Sequence, residues 1–451
     1  MNSFDGFNGN LKTPPKYRHQ WKLLGNPAVF LEQLIGEYGD FVHYRGLISF
    51  YLINHPVLVS DVLKNTHRSY DKHTKIYDHF RNIFGNGLVT AEGEDWKTKR
   101  KLMQPMFAPG AIKGFFGIMV EEAEKTLDIF DILSEKKQVF DFAHEMADLT
   151  LGIAGRSFFS DDFGDSSEKI RGWTEAINRY CAKPPLPILS NPRFPTPTNL
   201  RVRRVLRDFS ECVERLIDER QSIPAKNDLL AILMNSQISG GPDPLSRMEI
   251  CEEVLGMIIA GHETSATALT WLWYELHHHP DIEKALLKEI ESVVGDAELQ
   301  MHHLPELKLS SNVIRETMRL HPPFWFENRN TMEDITLGNT FIPKGSMIVF
   351  SRYSLQRHVE FWENPHDFDP SRFDPGNCSN PGIDSAFIPF GGGPRICIGR
   401  HFAMMELQVI FVTILRKYRV ELDASNRHLM TAKLTMAPTH GMRVKLVPRH
   451  R

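Results

Sequence analysis

Between Ser246 and Pro280 the chain encodes one long helix, and no other feature limits its fold as strongly. Ser246-x-x-Glu249 is a capping-box signature, and the next stop is His279-Pro280. The implied helix is roughly 30 residues, or about 45 Å. Its middle, Val254 to Ala260, is apolar on nearly every side, so the helix must run through a core rather than over a surface. Within it lies Ala260-Gly261-His262-Glu263-Thr264-Ser265. An acid and a hydroxyl buried there are costly unless partners meet them. A hydrogen-bonded kink would satisfy the hydroxyl alone, and a reaction would employ both groups. His262 is read as packing or solvent-facing, not as a ligand.

A second stretch, Phe390 to Ala403, places Cys397 in a loop with four glycines and a proline. Neither a helix nor a central strand tolerates that composition, so the backbone turns tightly and lets something approach closely. From Arg400 onward, Phe402, Met405, Val409 and Val412 recur at helical spacing. A helix N-terminus beside the sulfur predicts a lowered thiol pKa and a metal-binding thiolate. Core filler is the ordinary alternative for a lone cysteine. Zinc is set aside because no Cys-x-x-Cys pair exists, and a phosphate loop because the Gly-Lys-Ser/Thr ending is missing.

Composition excludes more than it selects. With 451 residues, 41% hydrophobic and 24% charged, the chain has ample material for a large core. A net charge of −3 offers no footprint for nucleic acid. Cys181, Cys212, Cys251, Cys378 and Cys397 are odd in number and scattered, which fits a reducing cytosol rather than a disulfide framework. Met1 to Gln20 is a polar arm without the apolar run of a signal peptide or membrane anchor, and no later stretch reaches spanning length.

Along the rest of the chain, Phe30, Leu31, Leu34 and Ile35 predict a short helix, and Phe41 to Asn54 a hairpin. Tyr70 to Thr90 predicts a loop region with a short helix. Trp96 and Arg100, four apart, share a helical face. Lys97, Lys99 and Lys101 are read as pointing elsewhere, toward solvent or an acidic electron donor. Helical stripes dominate from Ile112 to Arg220, interrupted by Lys183 to Pro187 and by Pro192 to Asn199 as a long non-helical connection. Gly240-Gly241-Pro242 is a linker-like cluster. Glu316 and Arg319 stand three apart, so an ion pair is expected in any fold. The histidines His277 to His279, His302 and His303 are left as solvated residues.

Phe390, Gly393, Arg395, Cys397 and Gly399 meet every position of Phe-x-x-Gly-x-Arg-x-Cys-x-Gly, which resembles the haem-ligand loop of the cytochrome P-450 family. Four further motifs resemble that family, and all five occur in its order. They are Trp96-x-x-x-Arg100, Ala260-Gly261-x-Glu263-Thr264, Glu316-x-x-Arg319, and Pro370-x-Arg372-Phe373. The resemblance implies one mainly α domain over residues 1–451 with a smaller β-rich part, and haem b between the long central helix and the cysteine loop. It implies Cys397 as the axial iron ligand, and Trp96, Arg100, Arg329 and Arg395 at the haem propionates, with Phe390 and Gly399 in the cofactor loop. Gly261 would border bound O2, with Thr264 and Glu263 delivering protons, while Glu316, Arg319 and Arg372 would form a structural brace. By family position, Phe80, Phe84, Leu88, Met257, Trp325 and Phe326 would line an apolar substrate pocket.

The activity implied is monooxygenation of a lipophilic molecule, fatty acyl, terpenoid or another secondary metabolite, by hydroxylation or epoxidation. Electrons would come from NAD(P)H through a ferredoxin or flavodoxin with its reductase, since the length leaves no room for a fused flavin domain. A cytoplasmic, bacterial-type enzyme without a membrane anchor is expected. Two other classes stay open: a haem-based gas sensor or electron carrier, and an oxygen-independent haem isomerase or dehydratase. Thr264 and Glu263 argue against the last.

Overall fold

A computed structural model describes residues 9–161, 167–183, 191, 193–222, 228–236, 245–376, 385–424 and 430–449. Lys183 is the last described residue before the expected Pro184 to Pro187 interruption, and that interruption, Pro192, Gly240-Gly241-Pro242 and Cys378 lie outside the described residues.

The architecture is mainly α with small sheets. Helix α1 is Pro56–Lys64, α2 Lys75–Phe84, α3 Gly93–Met103, α4 Phe142–Phe159 and α5 Ser167–Cys181. The central helix comprises α6 Arg247–Ile258, a π turn Ile259–Glu263 and α7 Thr264–His278. Helix α8 is Lys308–Leu320, and α9, Arg400–Lys417, starts just past Cys397. Both halves of the Ser246/Glu249 capping box form. The central helix is buried nearly throughout α7, because packing against α4 and α9 covers it on several sides.

The expected hairpin is β1 Phe41–Tyr44 and β2 Phe50–Ile53, with Phe41 opposite Ile53. With β3 Tyr70–Asp71, β4 Phe326–Thr331 and β5 Met347–Ser351 it makes a sheet of order β1-β2-β5-β4-β3. All its pairings are antiparallel except β2 with β5. A small hairpin of β6 Met430–Ala432 and β7 Met436–Pro438 packs near the sheet. The early helix spans Pro27–Tyr38.

The second proline-rich interruption is shorter than expected. A helix begins at Pro197, with the Thr196 hydroxyl accepting from the Asn199 amide. Proline at the first helical position has the right φ and lacks only an amide that would be unsatisfied there anyway. Among the described residues, no helix is long and apolar enough to cross a membrane.

Candidate active site

The π turn puts one extra residue into the central helix at Ile259–Glu263, a bulge often found at functional positions. Across it the Thr264 hydroxyl donates to the Ala260 carbonyl at 2.8 Å. Ala260 keeps an exposed surface although its neighbours Val254 to Ile259 are buried. Glu263 is held elsewhere: its Oε1 accepts from Asn178 Nδ2 of α5 at 2.7 Å and from the Thr435 hydroxyl of the β6–β7 turn at 3.0 Å. Sequence reasoning missed both donors, which lie 85 and 172 positions away. His262 packs, buried, with Nδ1 against the Ile258 carbonyl at 2.7 Å. Gly261 lies where the central helix meets α4. A Cβ there would stand 3.3 Å from Phe158 and 3.6 Å from Ala154, so its open side faces α4 and allows two helices to approach.

In the cysteine loop, Gly391 and Gly393 have φ of 75° and 63°. A side chain at Gly393 would also fall 2.1 Å from the Leu63 carbonyl of α1, so glycine is required there by both conformation and space. The Cys397 amide donates to the Phe390 carbonyl at 2.9 Å, closing the loop. Arg100 donates to the Ile396 carbonyl at 2.9 Å. Cys397 is accessible yet deep within the protein, which means that it faces interior space. Here the expected lowered pKa is corrected: burial pushes the thiol up, outweighing the Gly399 amide and the charges of Arg100, Arg352 and Arg400.

Arg395, two residues before the cysteine, lies 4.2 Å over the Trp96 ring, whose other partner is the stacked imidazole of His67 at 4.5 Å. It pairs with Glu92 and donates to His67 Nε2 at 3.1 Å. Burial holds its guanidinium down to about 10. Arg395 Nη1 and Arg352 Nε are buried and have no hydrogen-bond partner among the described residues. By contrast, fully buried Arg329 is engaged through all three nitrogens, with Thr66, Asn328 and Glu327. Glu327 also binds Arg352; burial would raise its carboxyl, but Arg329 and Arg352 hold it at about 2. Burial lowers the amine of Lys72, which donates to the Val89 carbonyl at 2.9 Å. Lys72, Glu92, Glu327 and Arg352 were not found by sequence reasoning. Only Glu327 had a local signal, since it lies two before Arg329 on one strand face.

Phe80, Phe84 and Met257 are buried in the main core, with Leu88 and Phe326 packed against it. Trp325 meets one of them, its ring centroid 4.4 Å from that of Phe326. It is 2% exposed, packs in the cluster under the small sheet, and donates its indole N–H to the Lys433 carbonyl. Lys99 is a further correction: it is buried, donating to the Asn86 carbonyl, while Lys97 and Lys101 are exposed.

Glu316 and Arg319 form a buried pair through two hydrogen bonds of 2.7 Å, with Arg372 Nε 3.3 Å from Glu316. A second tie joins the two principal helices: the hydroxyl of Ser265, next to Thr264, donates to Glu406, nine residues past Cys397.

Comparisons with known proteins place the chain in a family. The family model described as Cytochrome P450 matches residues 15–446. Pentalenene oxygenase of Streptomyces avermitilis is 33% identical over 439 residues, covering 96% of both chains. Cyclooctatin synthase of Streptomyces melanosporofaciens is 30% identical over 419 residues, 90% of this chain and 88% of that one. The crystal structure of the cytochrome P450DA heme domain superposes with a TM-score of 0.85 at 24% identity, covering 98% of both. The chain belongs to the cytochrome P450 family. It is a monooxygenase, and the family implies haem, O2, a redox partner and a hydrophobic substrate.

Proposed function

We propose that the chain hydroxylates or epoxidises a cyclic terpenoid, with Cys397 as the iron ligand and Thr264 and Glu263 managing protons. One observation carries the site: Cys397 faces interior space while Arg395, beside it, aims a buried N–H that no described residue accepts. A haem fits that arrangement. Its iron would take the sulfur, and its propionates would take Arg395 and Arg352, with Trp96 and Lys72 close to the same charges. Arg100 supports the loop through the Ile396 carbonyl, and Arg329 sets Glu327. When bound, haem supplies the activation of O2 through its thiolate-ligated iron.

The remaining chemistry is the protein's own. Thr264 presents its hydroxyl at the π turn, where its oxygen can accept one hydrogen bond while its proton rests on Ala260. Glu263, gripped by Asn178 and Thr435, is a proton source one residue away. Phe80, Phe84, Leu88, Met257 and Phe326 offer an apolar wall that excludes water. The terpenoid reading is supported by relatives named pentalenene oxygenase and cyclooctat-9-en-7-ol 5-monooxygenase. We further propose NAD(P)H as the electron source, through a ferredoxin or flavodoxin with its reductase, in the cytoplasm.

The test is turnover. The haem-loaded protein, NADPH, a surrogate ferredoxin and its reductase are incubated with cyclic terpenes and, separately, with fatty acids. Oxygenated terpene is expected. Turnover of fatty acids alone would replace the substrate class, and spectral indifference to every lipophile would favour a gas sensor.

A further inference from the structure

The turn joining α2 to α3 is fastened to the central helix by charged groups that the mechanism does not employ. Glu252 Oε2 accepts from the Asn86 amide at 2.9 Å, and Glu253 Oε2 from the Leu88 amide at 2.9 Å. From α3, the Lys99 ammonium donates to the Asn86 carbonyl, 3.3 Å from Asp95 and 3.7 Å from Glu253 Oε1. Asn86 Nδ2 also reaches Asp95, and the Thr90 hydroxyl closes back on the Gly85 carbonyl at 2.8 Å. The turn is shaped for this grip. Gly85 has φ of 52°, and a Cβ there would stand 1.8 Å from Glu252 Oε1.

Two of these groups are in unusual places for charges. The side chains of Glu253 and Lys99 are 1% and 2% exposed. A buried ion pair contributes little net stability compared with apolar groups of the same size, but it does fix relative position. What it fixes here is a pocket wall. Met257 lies one helical turn after Glu253, on the same face, and the Leu88 amide donates its hydrogen bond to Glu253 itself. Phe84 ends α2 just before the turn.

We infer that Glu253 and Lys99 are positioning residues for substrate selection, setting the separation of Leu88 from Met257 by fastening the α2–α3 turn to the central helix. The inference rests on the pocket assignment made above. Neither residue touches the reacting atoms, so selection changes while the oxygen chemistry persists.

The test uses the haem-loaded protein and the double variant Glu253→Leu with Lys99→Met, which removes both anchors together and leaves no buried charge unpaired. Hydrogen exchange at the Leu88 amide, which loses its acceptor, is expected to speed up at least tenfold. The ratio of dissociation constants for a short-chain and a polycyclic lipophile, read from the spin-state shift, should move by about tenfold, the scale of one hydrogen bond to a charged group. Imidazole, which needs only the iron, should bind as before. The single variant Lys99→Arg keeps a cation and should retain the wild-type ratio. Faster exchange with an unchanged ratio would overturn the inference, as would unchanged exchange. A spin-state response to lipophiles in the parent protein shows that the pocket reading stands independently of either result.

Discussion

The guanidinium of Arg319 meets Glu316 through two hydrogen bonds of 2.7 Å where neither side chain reaches solvent. Arg319 also donates to the carbonyls of Gln356, Pro365 and Asp367, while Glu316 accepts from the Asp369 amide at 2.9 Å. One pair thus holds the segment leading toward the cysteine loop. Arg319→Ala leaves the buried Glu316 carboxylate with the longer Arg372 contact as its counter-charge and is expected to cost about 3–5 kcal/mol. Arg372→Ala, which loses one longer contact at the edge, should cost less. Thermal melts and haem retention on gel filtration check this; an Arg319→Ala protein that melts with the parent and keeps its haem would remove the brace.

Cys397→Ser should abolish the thiolate-type carbon monoxide spectrum of the reduced protein. The loop itself should survive, because the amide of residue 397 still reaches the Phe390 carbonyl. If the substituted protein kept the thiolate spectrum, the ligand assignment would be wrong.

Thr264→Val keeps the shape of the side chain and deletes the hydroxyl that bridges the π turn to Ala260. NADPH consumption should continue while product per NADPH falls by about tenfold or more, since a positioned proton donor contributes roughly 10²–10⁴ in rate. Peroxide release measured alongside product distinguishes this from simple loss of activity. Equal losses in both would point to damaged packing instead.

Glu406 is enclosed on all sides, and burial pushes its carboxyl up to about 8 despite the Ser265 hydroxyl. The reference value is 4.5, so the folded state holds a proton that the unfolded state has released. Stability therefore falls as pH rises between those two values, and the loss is complete above the higher one. Glu406→Gln should melt well above the parent near pH 8, by on the order of a few kcal/mol. The gap should close toward pH 5. Parallel melts across that range decide it, and a constant gap would show that Glu406 does not titrate there.

Sequence alone determined the features that depend on near neighbours. Capping at Ser246, the stop at His279-Pro280, the Phe41–Ile53 hairpin, the glycines before Cys397 and the Glu316–Arg319 spacing are local, because hydrogen bonds and sterics act over a few residues of chain. The five ordered motifs added the family. Tertiary structure alone decided who meets whom across the fold. It gave Glu263 its partners Asn178 and Thr435, turned Lys99 inward, sent Trp325 under the sheet, and left Arg395 rather than Arg329 with a spare N–H. The Cys397 thiol shows why. Its helix N-terminus could be read from the sequence and favours the thiolate, but desolvation depends on every atom packed around the sulfur, and that sum exists only once the chain has folded.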